Sequence, residues 1–162
     1  MARKGGVDIA VKLGVEDLIA SYAAAIDDDR LEAWPDFFVE QGKYVISTKE
    51  DFDAGLPFGV IYADSRAMLV DRVTALRQAN IYEPHGYRHM VGTIRVIAGD
   101  DGAVEARANF MIVRTMKDGT TTLFATGEYR DRIDVTSDPF RFIERRVLTD
   151  SHKFDTLLAL PL

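Results

Sequence analysis

The chain has 162 residues, 47% of them hydrophobic and 28% charged, which supplies one self-standing core without disulfide or metal support. Its 20 basic and 26 acidic side chains give a net charge of −6. That balance argues against nucleic acid or an anionic membrane as the main partner, because both select a concentrated basic surface. With no cysteine in the sequence, disulfides, thiolate nucleophiles and cysteine-ligated iron–sulfur or zinc centres are excluded. Asp8, Lys12, Glu16 and Asp17 interrupt any signal-like stretch after Arg3 and Lys4, and nowhere do 18 apolar residues run together. The expectation is a cytoplasmic protein with no membrane span.

The opening segment, residues 1–14, leads into a helix. Val15, Leu18, Ile19, Tyr22 and Ile26 recur at helical spacing and make one apolar stripe. Asp27, Asp28 and Asp29 end it, since negative charge is unfavourable at a helix C-terminus. Leu31, Trp34, Phe37 and Phe38 then predict a second short helix, with Pro35 in its first turn or breaking it. Residues 43–48 (KYVIST) read as a strand, rich in aromatic and β-branched side chains. Residues 50–59 read as a loop, punctuated by Gly55, Pro57 and Gly59. An extended piece at 60–63 precedes a third helix, capped by Asp64 or Ser65, with Leu69, Val73 and Leu76 inward and Arg66, Arg72 and Arg77 outward.

Beyond Asn80 the periodicity changes from 3.6 to 2. Residues 88–98, 104–116, 120–135 and 140–150 are four strand candidates, separated by GDDG (99–102), Asp118-Gly119 and Asp138-Pro139. Short loops between consecutive strands imply an antiparallel meander. Helices first and a curved sheet afterwards define an α+β domain over residues 1–162, the sheet wrapped around the helices as a cone.

Three groups of residues could carry chemistry. His85 and His89, with Glu83 nearby, superficially suggest two imidazoles and a carboxylate for iron. Pro84 and Gly86 disfavour a helix there, and on a strand the two histidines stand about 13 Å apart, so a structural or contact role is favoured. Asp27 or Asp28 with Tyr44, Tyr62 and His85 could line a proton-transfer pocket inside a cone, against the simpler reading of a solvated helix end. Arg130, Asp131 and Arg132 face Arg141, Arg145 and Arg146 on the next strand, suiting either cross-strand pairing or a polar subunit contact. The tail, residues 156–162, is almost wholly apolar and must dock on its own domain or on another chain. No nucleotide-binding glycine loop, GxSxG elbow or HExxH occurs.

The order of segments carries a resemblance. IDDDRLEAWPDFF, KYVIS, YADSRAMLVDRVTAL, IYEPHGYRHMVG, ANFMIVRT, GEYRDRI and RRVLTDSHKFDTLLALPL together resemble the β subunits of Rieske-type ring-hydroxylating oxygenases, from about Val15 to Leu162. The WPDFF and NIYEPHGYRH segments and the DTLLALPL ending look closest to small subunits acting on aromatic carboxylates: terephthalate first, then salicylate and anthranilate. Where the benzoate and biphenyl types read SRTRH, this chain reads HGYRH. The resemblance implies an NTF2-like (SnoaL-like) cone that is structural and non-catalytic, with no cofactor or metal of its own. It implies an α subunit carrying a Rieske [2Fe–2S] cluster and a mononuclear Fe(II), and electrons from NAD(P)H through a reductase or ferredoxin. The implied assembly is α3β3 with a β trimer. Candidate subunit contacts are Trp34, His85, Arg88, His89, Arg130, Arg145, Leu160 and Leu162. The alternative is a free-standing dehydratase or isomerase of the same fold, using an Asp/His pair in its own pocket.

Overall fold

A computed structural model describes residues 6–57, 59–79, 82–154 and 158–162. Helix α1 (Ile9–Asp27) starts at Asp8, whose side chain accepts the Ala10 N–H, and buries Val15, Leu18, Ile19, Tyr22 and Ile26 as the periodicity requires. It stops at the aspartate run, where Asp29 adopts a positive φ of 54°. The next element is tighter than an α-helix: Leu31–Phe37 is a 3-10 helix with Pro35 inside it. Phe38 is therefore not its last helical residue but the first of strand β1 (Phe38–Thr48).

The segment expected to be a loop after β1 begins as a short helix, α2 (Lys49–Asp53). Thr48 caps it by accepting the Asp51 N–H, and Glu50 and Asp51 favour the positive end of its dipole. Strand β2 (Ile61–Ala63) follows, then α3 (Arg66–Gln78), which is capped by Ser65 and buries Leu69, Val73 and Leu76. Arg77, on the last turn of α3, clamps Asp29 and Glu32 at 2.8–3.1 Å and so ties α3 to the 3-10 helix.

The strand expected over 88–98 is broken into β3 (His85–Val91) and β4 (Arg95–Ala98). Both pair with the long β5 (Ala103–Met116), followed by β6 (Thr121–Asp134) and β7 (Arg141–Thr149). The sheet order is β2-β1-β7-β6-β5-β3, with β4 also on β5. The sheet is not wholly antiparallel, because β1 pairs with β7 in parallel. Short loops impose antiparallel pairing only on consecutive strands, and β1 and β7 are joined through most of the chain.

One hydrophobic cluster links the helices to the concave face of the sheet. At its centre Trp34, fully buried, meets Tyr44 and Phe38 edge-on with ring centroids 5.0 and 6.0 Å apart. On β6, a Cβ placed at Gly127 would fall 1.9 Å from the Leu148 main-chain oxygen and 3.0 Å from the Phe110 ring. Gly127→Ala therefore forces the sheet apart, an overpacking loss of about 1–3 kcal/mol. Gly86, whose added Cβ would meet nothing within 4 Å, serves as the control: Gly86→Ala stays within about 0.5 kcal/mol of the parent. Urea unfolding midpoints of the two variants check the contrast.

Candidate functional site

The interior of the cone holds an ion pair. Arg145 projects inward from β7 and donates from Nε and Nη2 to the two carboxylate oxygens of Asp131 on β6, each at 2.9 Å, with both side chains fully buried. The guanidinium carbon also lies 3.9 Å from the Tyr129 ring centre, 4.1 Å from that of Tyr22 and 4.4 Å from that of Phe142. The pair is thus sandwiched by aromatic faces that favour a cation. Burial drives the Asp131 carboxyl above its ordinary range, and the adjacent Arg145 pulls it back toward ionisation. Burial likewise raises the phenols of Tyr22, Tyr44 and Tyr129, which remain neutral at physiological pH.

The end of the chain closes this interior. Residues 158–162 are buried against the domain, with Leu162 at 0% exposure. The Leu162 main-chain oxygen accepts hydrogen bonds from Tyr22 Oη at 2.7 Å and Tyr44 Oη at 3.2 Å, and its N–H donates to Tyr44 Oη at 2.9 Å. Arg72 on α3 donates to the Leu158 main-chain oxygen at 3.4 Å. The part of the tail at 156–157 lies outside the described residues. Leu160 and Leu162, considered as subunit contacts, turn inward instead: their apolar surface is satisfied by their own domain.

The aspartate–histidine pair exists, but with a different histidine. Asp27, at the end of α1, receives the main-chain N–H of His89 on Oδ2 at 2.9 Å, and its Oδ1 lies 2.5 Å from His89 Nδ1. The contact is fully buried on the histidine side and ties α1 to β3. His85 is half-buried and directs Nδ1 to the Glu83 main-chain oxygen at 2.8 Å. Of the expected group of Asp27 or Asp28, Tyr44, Tyr62 and His85, Asp27 and His85 line one cavity of about 240 Å³ with Tyr82, and the others lie elsewhere. Asp28 is exposed beside Arg30, Tyr44 holds the tail, and Tyr62 is 52% exposed. His85 and His89 sit four residues apart on one strand, about 13 Å along it, and engage different partners. They do not converge on one ion. A Rieske cluster needs two cysteine ligands, which this sequence lacks, so the residues present do not fit that group.

The other candidate contacts divide by strand face. Trp34 and Arg145 are enclosed and present no surface to another chain. His89 is nearly so, at 8% exposure. Arg88 is exposed on β3, and Arg130 lies on the outer face of β6 with its Nε 2.8 Å from Glu128 Oε1. The cross-strand pairing expected between β6 and β7 is met by Asp131 and Arg145, whereas the irregularity beside them left no mark in the sequence. Asp131 pairs with Arg145 but Ile133 pairs with Phe142, because a register shift lies between Arg132 and Ile133. That irregularity brings Phe142 and Arg145 to the same face, which strict alternation along β7 does not allow.

A seven-stranded curved sheet closed by helices, with its interior filled by an ion pair, aromatic rings and the tail, defines an NTF2-like cone. The family described as ring hydroxylating β subunit matches residues 22–156, and the chain belongs to that family. It is 44% identical over 143 residues to the terephthalate 1,2-dioxygenase terminal oxygenase component subunit β2 of Comamonas sp., covering 88% of this chain and 93% of the relative. It is 40% identical over 141 residues to the anthranilate 1,2-dioxygenase small subunit of Burkholderia cepacia, covering 87% and 88%. A crystal structure assigned as the β subunit of an aromatic-ring-hydroxylating dioxygenase of Novosphingobium aromaticivorans superposes with a TM-score of 0.86 at 37% identity, over 94% of this chain and 97% of that one. The chain is thus a small subunit of a ring-hydroxylating oxidoreductase, as its segment order implies.

Two measurements test the interior. Asp131→Ala leaves a buried, uncompensated guanidinium and lowers stability by about 3–5 kcal/mol, whereas Asp131→Leu with Arg145→Met is expected to cost less than the single change. Urea denaturation of the three proteins decides it. Tyr44→Phe removes both hydrogen bonds that its hydroxyl makes to Leu162, a loss of about 1–3 kcal/mol. Faster deuterium exchange at the Leu162 amide, against an unchanged rate in β5, is its signature.

Proposed function

We propose that this chain is the structural, non-catalytic small subunit of a multicomponent oxygenase that hydroxylates an aromatic carboxylate, terephthalate being the first choice, in the cytoplasm. The observation that carries the proposal is the state of the cone interior. The centre of the cone is taken up by Trp34, the Arg145–Asp131 pair, three phenols and Leu162, which leaves a cavity of about 240 Å³ beside Asp27 and His85. The Asp27–His89 contact, the one carboxylate–imidazole pair buried among the described residues, joins two elements of the fold. The 44% and 40% identities to small subunits named for terephthalate and anthranilate dioxygenases support the carboxylate branch.

In this reading, oxidation takes place on a large α subunit. That subunit supplies the Rieske [2Fe–2S] cluster and the mononuclear Fe(II), fed with electrons from NAD(P)H by a reductase or ferredoxin. The assembly is α3β3, with this chain contributing a trimer. What the chain itself supplies is a rigid body: a core pinned by an ion pair and a tail, with polar surfaces for docking.

Co-expression with an oxygenase large subunit tests the reading. A stable hetero-oligomer that takes up oxygen with terephthalate, together with no bound iron and no turnover by this chain alone, is the expected result. Failure to associate with an oxygenase large subunit, or stoichiometric iron on the isolated chain, overturns it.

A further inference from the structure

The outer face of the sheet carries a feature that the fold does not use. Arg95 on β4 stands directly opposite Arg107 on β5, Arg107 opposite Arg130 on β6, and Arg130 opposite Arg146 on β7. Four guanidinium-bearing side chains therefore occupy one row across four strands, at about 4.8 Å per strand. Like charges placed directly opposite destabilise a sheet, so the row needs compensation. Arg130 and Arg146 obtain it from Glu128 and Glu144 on their own strands, and both lie against the ring of Phe52 of α2. Arg95 and Arg107 do not: both are exposed, and among the described residues neither has an ion-pair partner. Shallow grooves of about 220 and 270 Å³ flank Arg107 on its two sides.

The complementary surface is on the same chain. A groove of about 570 Å³ runs between α1, the 3-10 helix and the β6–β7 turn. Leu18, Phe37 and Phe140 supply apolar walls, and Asp17, Asp36 and Asp138 line it. Among the described residues none of these three carboxylates has an ion-pair partner, and all three are exposed. Arg141, also in the groove, donates from Nε to the Asp36 main-chain oxygen at 3.3 Å and leaves the carboxylates unpaired. Gly14 lets α1 approach this wall closely, since a Cβ there would fall 2.4 Å from the Phe140 ring.

We infer that the arginine row, centred on Arg95 and Arg107, docks on the Asp17/Asp36/Asp138 groove of a second copy of this chain, head to tail. Arginine row against arginine row would be repulsive. A row seated on a different, acidic patch avoids that repulsion and closes into a ring when the rotation permits. Nucleic acid is a poor occupant because Glu105, Glu128 and Glu144 interleave with the arginines and the chain carries a net charge of −6. The inference deepens the small-subunit reading by assigning the faces through which copies of this chain meet.

Sedimentation velocity of the full chain, alone and co-purified with its large subunit, tests it at low and high salt. The parent chain self-associates, more weakly as salt rises. Arg95→Glu with Arg107→Glu weakens self-association by at least about tenfold, as does Asp17→Lys with Asp36→Lys, and mixing the two variants recovers association as mixed pairs that neither variant forms alone, because each offers the charge that the other lacks. Circular dichroism confirms that these surface variants fold. Parent-like self-association of the arginine variant, no recovery on mixing, or a single copy of this chain both alone and in the complex would each overturn the inference. So would an arginine variant that loses only its hold on the large subunit. A parent chain that forms its ring yet never binds a large subunit sinks the small-subunit reading and leaves this inference standing.

Discussion

The fold depends on a charge that it cannot leave unpaired. Arg145 is carried to the centre of the cone by β7, with no exposed surface and aromatic rings on its faces. A guanidinium cannot escape by losing its proton. The position is tolerable only if Asp131 meets it with both oxygens, as it does. That requirement fixes the register of β6 on β7, and Tyr22, stacked on the same guanidinium, fixes how α1 lies across them. A hydrophobic interior of similar volume could match this in stability. The ion pair adds a geometric condition that few alternative packings meet.

The tail is the second constraint and depends on the first. Tyr22 both stacks on Arg145 and donates to Leu162; Tyr44, from β1, completes the hold. Residues from α1, β1 and β7 are thereby tied to the last described residue of the chain. The centre of the cone is thus occupied by tryptophan, tyrosines, an ion pair and a leucine. On the outside, the sheet face carries arginines and the groove by α1 carries aspartates that have no ion-pair partner among the described residues.

Histidines illustrate how little a residue type says without its surroundings. His85 and His89 are four apart and near a glutamate, yet one satisfies a main-chain oxygen and the other a helix-terminal aspartate. The Asp27–His89 contact looks like a proton shuttle in isolation. In place, it closes the end of α1 against β3 and satisfies a main-chain N–H at the same time.

Composition, periodicity and turn residues determined most of the architecture: α1 and its buried stripe, the Ser65 cap of α3, the long strands, and the turns between them. These follow from local steric and hydrogen-bonding rules that a stretch of sequence expresses by itself. Segment order also determined the family. Only the tertiary structure decided that β1 lies parallel to β7, that His89 rather than His85 meets Asp27, and that a register shift brings Phe142 to the face that carries Arg145. It also placed Trp34, Leu160 and Leu162 in the core of their own domain. Each of these depends on residues far apart in the chain meeting in space, where burial and pairing are properties of the assembled sheet and leave no periodic mark on either partner's segment.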